Sequence, residues 1–377
     1  MSRVLILLFL ISLNVYSQNS YYVSSKQGND TSGDGSLSNP YKTLTKAVSV
    51  ISGGDIIYLR EGVYHESVSI SNIDGTSSNK TTITNYQNEL VIIDGTVWID
   101  GTWQDDNSNS SIKYLSNITQ DITQLFVGNN QMVMARWPNA QFTDNSIFDH
   151  DNWAHGDEDN STDGNFYIDE TYDDPGSIDL TGTIGILNVG SFKTFNRTIS
   201  NHTQQSGNDL VQFTDDIGTK GIGGSLSSNS PLKNKHHYFF FEGKKELIDT
   251  QNEWFLNTSS DILYLYPPNG VDLSTTFVRG KVRDYSITVS NSDYLKIEGL
   301  TFFATTLKVD SSDYIEIKEN NFYYPSHSQR MIGGLNGANP TILGSTQSNS
   351  VNNSIIDSCL FINTEGEGLI INGTTTK

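Results

Sequence analysis

Two stretches decide the fold: VSNSDYLKIEGLTF at 289–302 and VDSSDYIEIKENNF at 309–322. They superpose at a constant offset of 20 residues, with Val, Ser, Asp-Tyr, Ile and Phe coinciding and Leu295 matching Ile315. A looser third copy, IIDSCLF at 355–361, follows an interruption. A period of about 20 residues, with several short strands in each repeat, suits a coil that stacks on its neighbours and shares one core with them. The register follows from the offset. Leu295 and Ile297 point inward with Ile315 and Ile317, so Lys296 stacks on Glu316 and Glu298 on Lys318, two matches of opposite charge.

Upstream, short apolar runs end at turn residues in the same style. Ile56 to Leu59, Ser67 to Ile70, Thr81 to Thr84 and Val91 to Ile93 read as strands, with Asp94-Gly95 and Asp100-Gly101 as turn dipeptides. One helix is expected, at 41–51, where Leu44, Ala47, Val48 and Ile51 share a face between Pro40 and Gly53-Gly54. Residues 124–284 lack the period. They hold an acidic stretch, a Gly/Ser/Asn-rich loop and aromatic strands at Tyr238 to Phe241 and Leu263 to Tyr266. The expected division is therefore a leader (1–17), a cap with the first coils (18–123), a β-rich insertion (124–284) and further coils (285–377).

Composition narrows the functional classes. The 377 residues carry 43 acidic against 23 basic side chains, a net charge of −20. Nucleic acid is an unsuitable partner, because phosphate neutralisation needs a basic face. Aromatic residues make up 11%, which argues against global disorder. The lone cysteine, Cys359, forbids an internal disulfide. Arg3, the apolar run from Val4 to Leu13 and Ser17 form an export signal too short for a comfortable membrane span, and no other segment reaches spanning length. A secreted or cell-surface monomer is expected. The end at Thr374–Lys377, straight after a strand and without a capping signal, suggests further coils beyond residue 377.

Tyr21-Tyr22-Val23-Ser24, Gly28-Asn29-Asp30, Gly33-Asp34-Gly35-Ser36, Asn39-Pro40-Tyr41 and Gly54-Asp55-Ile56-Ile57-Tyr58-Leu59 resemble the first coils of secreted bacterial right-handed parallel β-helix proteins of the pectate-lyase-like superfamily. In that superfamily a short helix caps the open end of the solenoid. Leu125-Phe126-Val127, Met134 to Asn139, Glu253-Trp254-Phe255 and Leu263 to Pro268 resemble an insertion in β-helix glycoside hydrolases and related polysaccharide-active proteins. The resemblance implies an all-β right-handed parallel β-helix with a capping helix and a β-rich insertion, acting on a polysaccharide. Hydrolysis is the leading reaction. β-Elimination on a uronic-acid polymer and non-catalytic glycan binding are the alternatives.

Four constellations are candidates for chemistry. Tyr324, His327 and Arg330 lie in a stretch that breaks the repeat directly after a strand, where a proton carrier and a fixed cation suit elimination. Glu365 and Glu367, with Asp357 upstream, offer two carboxylates on one strand face, as hydrolysis requires. Arg279, Lys281 and Arg283 alternate along a strand and suit an anionic chain, or ion pairs with the insertion's own acids. Asp159, Ser161, Asp163 and Glu170, with Gly164 at the sixth position, match the spacing of a calcium loop, although the flanks are not helical. Of the tryptophans that could stack on sugar rings, Trp98, Trp103, Trp137, Trp153 and Trp254, the sequence favours Trp137 and Trp254 as core and Trp153 as exposed.

Overall fold

The computed structural model describes residues 18–157, 164–170, 174–190, 193–205, 207–213, 238–326, 340–365 and 368–374. Among them, three sheets are parallel throughout. The first runs Ser20–Val23, Ile56–Leu59, Thr81–Asn85, Leu295–Glu298, Glu316–Lys318, Ile355–Asp357. The second runs Gly62–Tyr64, Val91–Asp94, Thr301–Phe303, Asn321–Tyr323, Leu360–Ile362. The third runs Val68–Ser71, Tyr285–Ser290, Thr306–Asp310, Thr341–Leu343, Leu369–Ile371. The chain visits first, second and third sheet in turn and then starts again one strand further along, which is consistent with a β-helix-like fold.

The 20-residue register holds. Lys296 is opposite Glu316, Ile297 opposite Ile317 and Glu298 opposite Lys318. Leu295, Ile297, Ile315 and Ile317 are all buried in one core, each contributing about 1.5–3 kcal/mol by leaving water. The two lysines of these strands, however, pair along their own strands. Lys296 reaches Glu298 at 2.7 Å and Lys318 reaches Glu316 at 3.3 Å, while Glu316 takes its cross-strand partner from Lys80. Side chains two apart on one strand share a face, so each lysine finds its own strand's acid there.

The turn that carries the repeated Asp-Tyr is linked from coil to coil. Asp293 donates its N–H to Asp74, Asp313 to Asp293, and Asn352 to Asp313, each at 2.8–2.9 Å. This ladder of side-chain caps continues to Thr374, whose N–H reaches Asn352. Tyr294 and Tyr314, both in the left-handed region at φ 55° and 59°, stack at 4.3 Å. Inside, Phe302, Phe322 and Phe361 stack at 4.7 Å spacing. Asn320, fully buried, accepts from Leu300 N–H and donates to Ile297 carbonyl, both at 2.9 Å. The α-helix is shorter than expected, Leu44–Val48, capped by the Thr43 hydroxyl and buried through Leu44, Ala47 and Val48 against the first coils.

The insertion begins earlier than residue 124. Thr96–Trp98 pairs antiparallel with Val278–Lys281, and Lys113–Ser116 with Ile262–Leu265. The chain thus leaves the parallel sheets after Asp94 and rejoins them at Tyr285. Gly95 marks the departure: a Cβ there would lie 2.3 Å from the Ala304 carbonyl oxygen. The two aromatic strands belong to different sheets. Tyr238–Glu242 pairs with Ile184–Gly190 and with Arg136–Trp137, whereas Ile262–Leu265 pairs with Glu253–Asn257. Each sheet carries its own buried apolar cluster. No described helix is long and apolar enough to cross a membrane.

Candidate functional site

The two longest links between one parallel sheet and another fall at one corner, the link from the second sheet to the third. In the first coil this link is His65 to Ser67, and in the third it is Ala304 and Thr305. In the others it holds residues 95–284, 324–340 and 363–368. Regular strands fix the corner and long links bring variable side chains to it, the usual division between scaffold and function.

The basic row at 279–283 is part of this junction rather than an open face. Arg279 is buried, donates to Asp94 at 2.8 Å and to Asn129 at 2.8 Å, and lies 4.2 Å from the centre of the Phe303 ring. Its acid partner belongs to the first coils, not to the insertion. Lys281 is fully buried, and its Nζ lies 3.3 Å from the Pro325 carbonyl oxygen. Arg283 donates to the Thr96 carbonyl at 3.1 Å. Neither Arg279 nor Lys281 can therefore lie along an anionic chain as the sequence suggested; both tie the insertion's return strand to the corner. Burial holds the Lys281 ammonium down to about 8, with Asp284 and Glu365 opposing the fall.

Tyr324 packs edge-on against Phe126 at 5.0 Å and does not line the cleft described below; burial raises its phenol. His327, Arg330, Glu367, Asp159, Ser161 and Asp163 lie outside the described residues. Glu170 accepts the Gly207 N–H at 3.2 Å, and its carboxyl is raised by burial and by Asp209 beside it. Among the described residues no group of three or more His, Cys, Asp or Glu side chains is placed to hold a metal ion.

Glu365 is where the corner and the insertion meet. Its Oε1 accepts the Gln131 amide at 2.6 Å and the Gln124 amide at 3.0 Å. The three residues line a cleft of about 420 Å³ together with Thr364 of the coil and residues of the insertion. Met132, Val133 and Trp254 bring apolar surface to it, and Phe142, Phe148, Trp153 and Phe240 bring aromatic surface. Phe148 is 69% exposed, whereas Trp153 is held edge-on by Phe240 at 4.7 Å and His150 at 5.0 Å. Trp98, half exposed, is the surface tryptophan instead.

Two charged residues of the cleft, Arg136 and Glu242, were not singled out from the sequence. They stand opposite each other on antiparallel strands and are nearly fully buried. The Arg136 guanidinium lies 3.8 Å from the Phe240 ring centre, and its Nε donates to the Pro138 carbonyl at 2.9 Å. Behind them Glu253, also buried, accepts backbone N–H groups from Arg136, Asp249 and Thr250 at 3.1–3.3 Å. Burial nonetheless pushes its carboxyl up to about 8. The signal was a charged residue set in an apolar run, Arg136 after Met134-Ala135 and Glu242 after four aromatics; buried charges of this kind need a partner or a purpose.

Residues 26–72 match a family described as "Protein of unknown function (DUF1565)". The uncharacterized protein YwoF of Bacillus subtilis (strain 168) is 35% identical over 75 residues, 20% of this chain and 16% of that protein. A solved structure described as "Glycoside hydrolase" aligns with a TM-score of 0.70 over 94% of this chain and 67% of that chain, at 17% identity. A second, "The complex structure of XylC with xylose", aligns over 94% of this chain and 53% of that chain at 16% identity, with a TM-score of only 0.35. At 17% identity the first of these structural likenesses is one of fold.

Proposed function

We propose that the chain is an exported, carbohydrate-active protein that hydrolyses a polysaccharide, with the cleft at Glu365 as its site. The finer architecture belongs to the same proposal: coils wound as a right-handed parallel β-helix, entered by an export signal at 1–17. One observation carries it. A carboxylate from the coil turn, Glu365, and a carboxylate from the insertion, Glu242, line one cleft with aromatic walls. Glycoside hydrolysis needs two carboxyl groups, one to protonate the leaving oxygen and one to attack or to activate water. Aromatic rings supply stacking surface for sugars, and a fold built from rigid strands holds such groups in place. The structural likeness to a solved structure described as a glycoside hydrolase supports the same reading at the level of fold.

The test is product release from a panel of neutral and uronic polysaccharides. A saturated reducing sugar supports hydrolysis. An unsaturated product would move the chemistry to elimination, with His327 and Arg330 as the residues to examine. Binding without any product would leave a glycan-binding module. Calcium at the loop from Asp159 to Glu170 remains part of the proposal as a stabilising ion. A calcium-dependent rise in melting temperature that Asp159→Ala abolishes is its test, since an ion that binds only the folded chain must stabilise it.

A further inference from the structure

We propose that the cleft selects an uncharged, hydroxyl-bearing sugar and rejects a uronate, with Gln124 and Trp153 as the selecting contacts. This rests on the reading of the cleft as a glycan site. Gln124 is only 2% exposed. Its Nε2 is committed to Glu365, which fixes the amide with Oε1 as the remaining group. That oxygen is buried and has no hydrogen-bond partner among the described residues. The same holds for the Trp153 indole N–H and the Thr123 hydroxyl, and all three residues line the cleft. Buried polar groups are ordinarily paired, and an unpaired one is costly, so three at one cleft point to what it receives.

The three groups ask for different things. The Gln124 oxygen only accepts, the Trp153 N–H only donates, and the Thr123 hydroxyl does either. A sugar hydroxyl donates and accepts, so neighbouring hydroxyls on one ring can satisfy all three. A carboxylate only accepts. It could take the indole N–H but, wherever it faced Gln124, would leave that oxygen bare, and it would enter a cleft already lined by Glu365 and Glu242. Two cations near the cleft are buried within the protein. Lys281 is fully buried against the Pro325 carbonyl, and Asp284 lies near it. Arg136 is 2% exposed, packed on the Phe240 ring and bonded to the Pro138 carbonyl. A volume of about 420 Å³ suits the end of a chain or a short oligosaccharide rather than a long polymer segment.

The experiment is calorimetric titration of the full chain with neutral xylo-, cello- and galacto-oligosaccharides and, in parallel, with oligogalacturonides. At least one neutral series should bind, about tenfold or more tighter than the uronic one. Trp153→Phe keeps the ring and removes the N–H. It should weaken neutral binding about tenfold with the melting temperature unchanged, because a site built to bond a hydroxyl loses most when one partner is removed. Thr123→Val removes the third unpartnered group at nearly constant shape, should weaken neutral binding in the same direction, and is read alongside in case either variant folds poorly. Tighter binding of the uronic series, no binding by any neutral series, or an unchanged affinity in both folded variants overturns the inference. The two readings fail separately. Neutral binding that depends on Trp153 but yields no product contradicts hydrolysis and leaves this inference standing, whereas hydrolysis of a uronic polymer does the reverse.

Discussion

The Gln131 amide donates to the Glu365 carboxylate at 2.6 Å, joining residues 234 positions apart. Gln131 ends the short strand Asn130–Gln131 of the insertion, and Glu365 lies in the turn after Leu360–Ile362 of the parallel sheets. Gln124, directly before the strand Leu125–Val127 that pairs with Asn130–Gln131, reaches the same oxygen. The insertion therefore does more than cover the corner: two of its side-chain amides fix the position of a carboxylate in the cleft.

Gln131→Leu should lower kcat by about ten- to a hundredfold while KM changes little, because the carboxylate is still present but less well held. Steady-state kinetics checks this. A melting temperature that falls while kcat stays put would reduce Gln131 to a structural contact.

Arg279→Met should destabilise the fold by about 3–5 kcal/mol, because it strands a buried Asp94 carboxylate without its cation. Substrate affinity in the surviving folded fraction should stay near wild type. Urea unfolding together with calorimetric binding tests this. A large loss of affinity with unchanged stability would restore the basic row as a binding surface.

Stability should fall as pH rises from about 4.5 to about 8 through Glu253. Its carboxyl ordinarily titrates near 4.5 and is pushed up to about 8 by burial. The folded chain thus binds this proton more tightly than the unfolded chain. The contribution is complete below the unfolded value and lost as pH rises through the folded one. Lys281 acts in a different window with the opposite sign. Its ammonium is held down from 10.5 to about 8, so stability recovers as pH rises between those values. Melting temperatures of wild type and Glu253→Gln from pH 4 to 9 should diverge over the first window; parallel curves would contradict a protonated Glu253.

Asn320→Leu should cost about 1–3 kcal/mol, since it removes the partners of the Leu300 N–H and the Ile297 carbonyl inside the core. Thermal unfolding checks it. A neutral change would mean that the turn relaxes enough to find other partners.

The parallel sheets were legible because each coil repeats its own local chemistry. The Asp-Tyr pair and the alternation around Ile297 and Ile317 specify a turn and a face within a few residues, and the offset of 20 then sets the register. Even there the lysines were assigned the wrong acids, because strand pairing is periodic while a flexible ammonium takes whichever carboxylate shares its face. The candidate site was only partly legible. Glu365 was visible as a turn acid, but its partners Gln124 and Gln131 come from an antiparallel region without period, where pairing joins distant residues. Arg136 and Glu242 face each other across more than a hundred residues. The insertion's true start at Thr96 was hidden for the same reason: its strand Thr96–Trp98 reads like another coil until its partner, Val278–Lys281, is known.

The most direct measurement is the mass and saturation of product formed in ¹⁸O-labelled water by the wild-type chain and by Glu365→Gln, on whichever glycan in the panel is turned over. The wild type should release a saturated sugar carrying one heavy oxygen at the new reducing end. Glu365→Gln, similar in size and folded, should be slower by about 10²–10⁴-fold. An unlabelled, unsaturated product from the wild type, or near-wild-type turnover by folded Glu365→Gln, would contradict hydrolysis at this cleft.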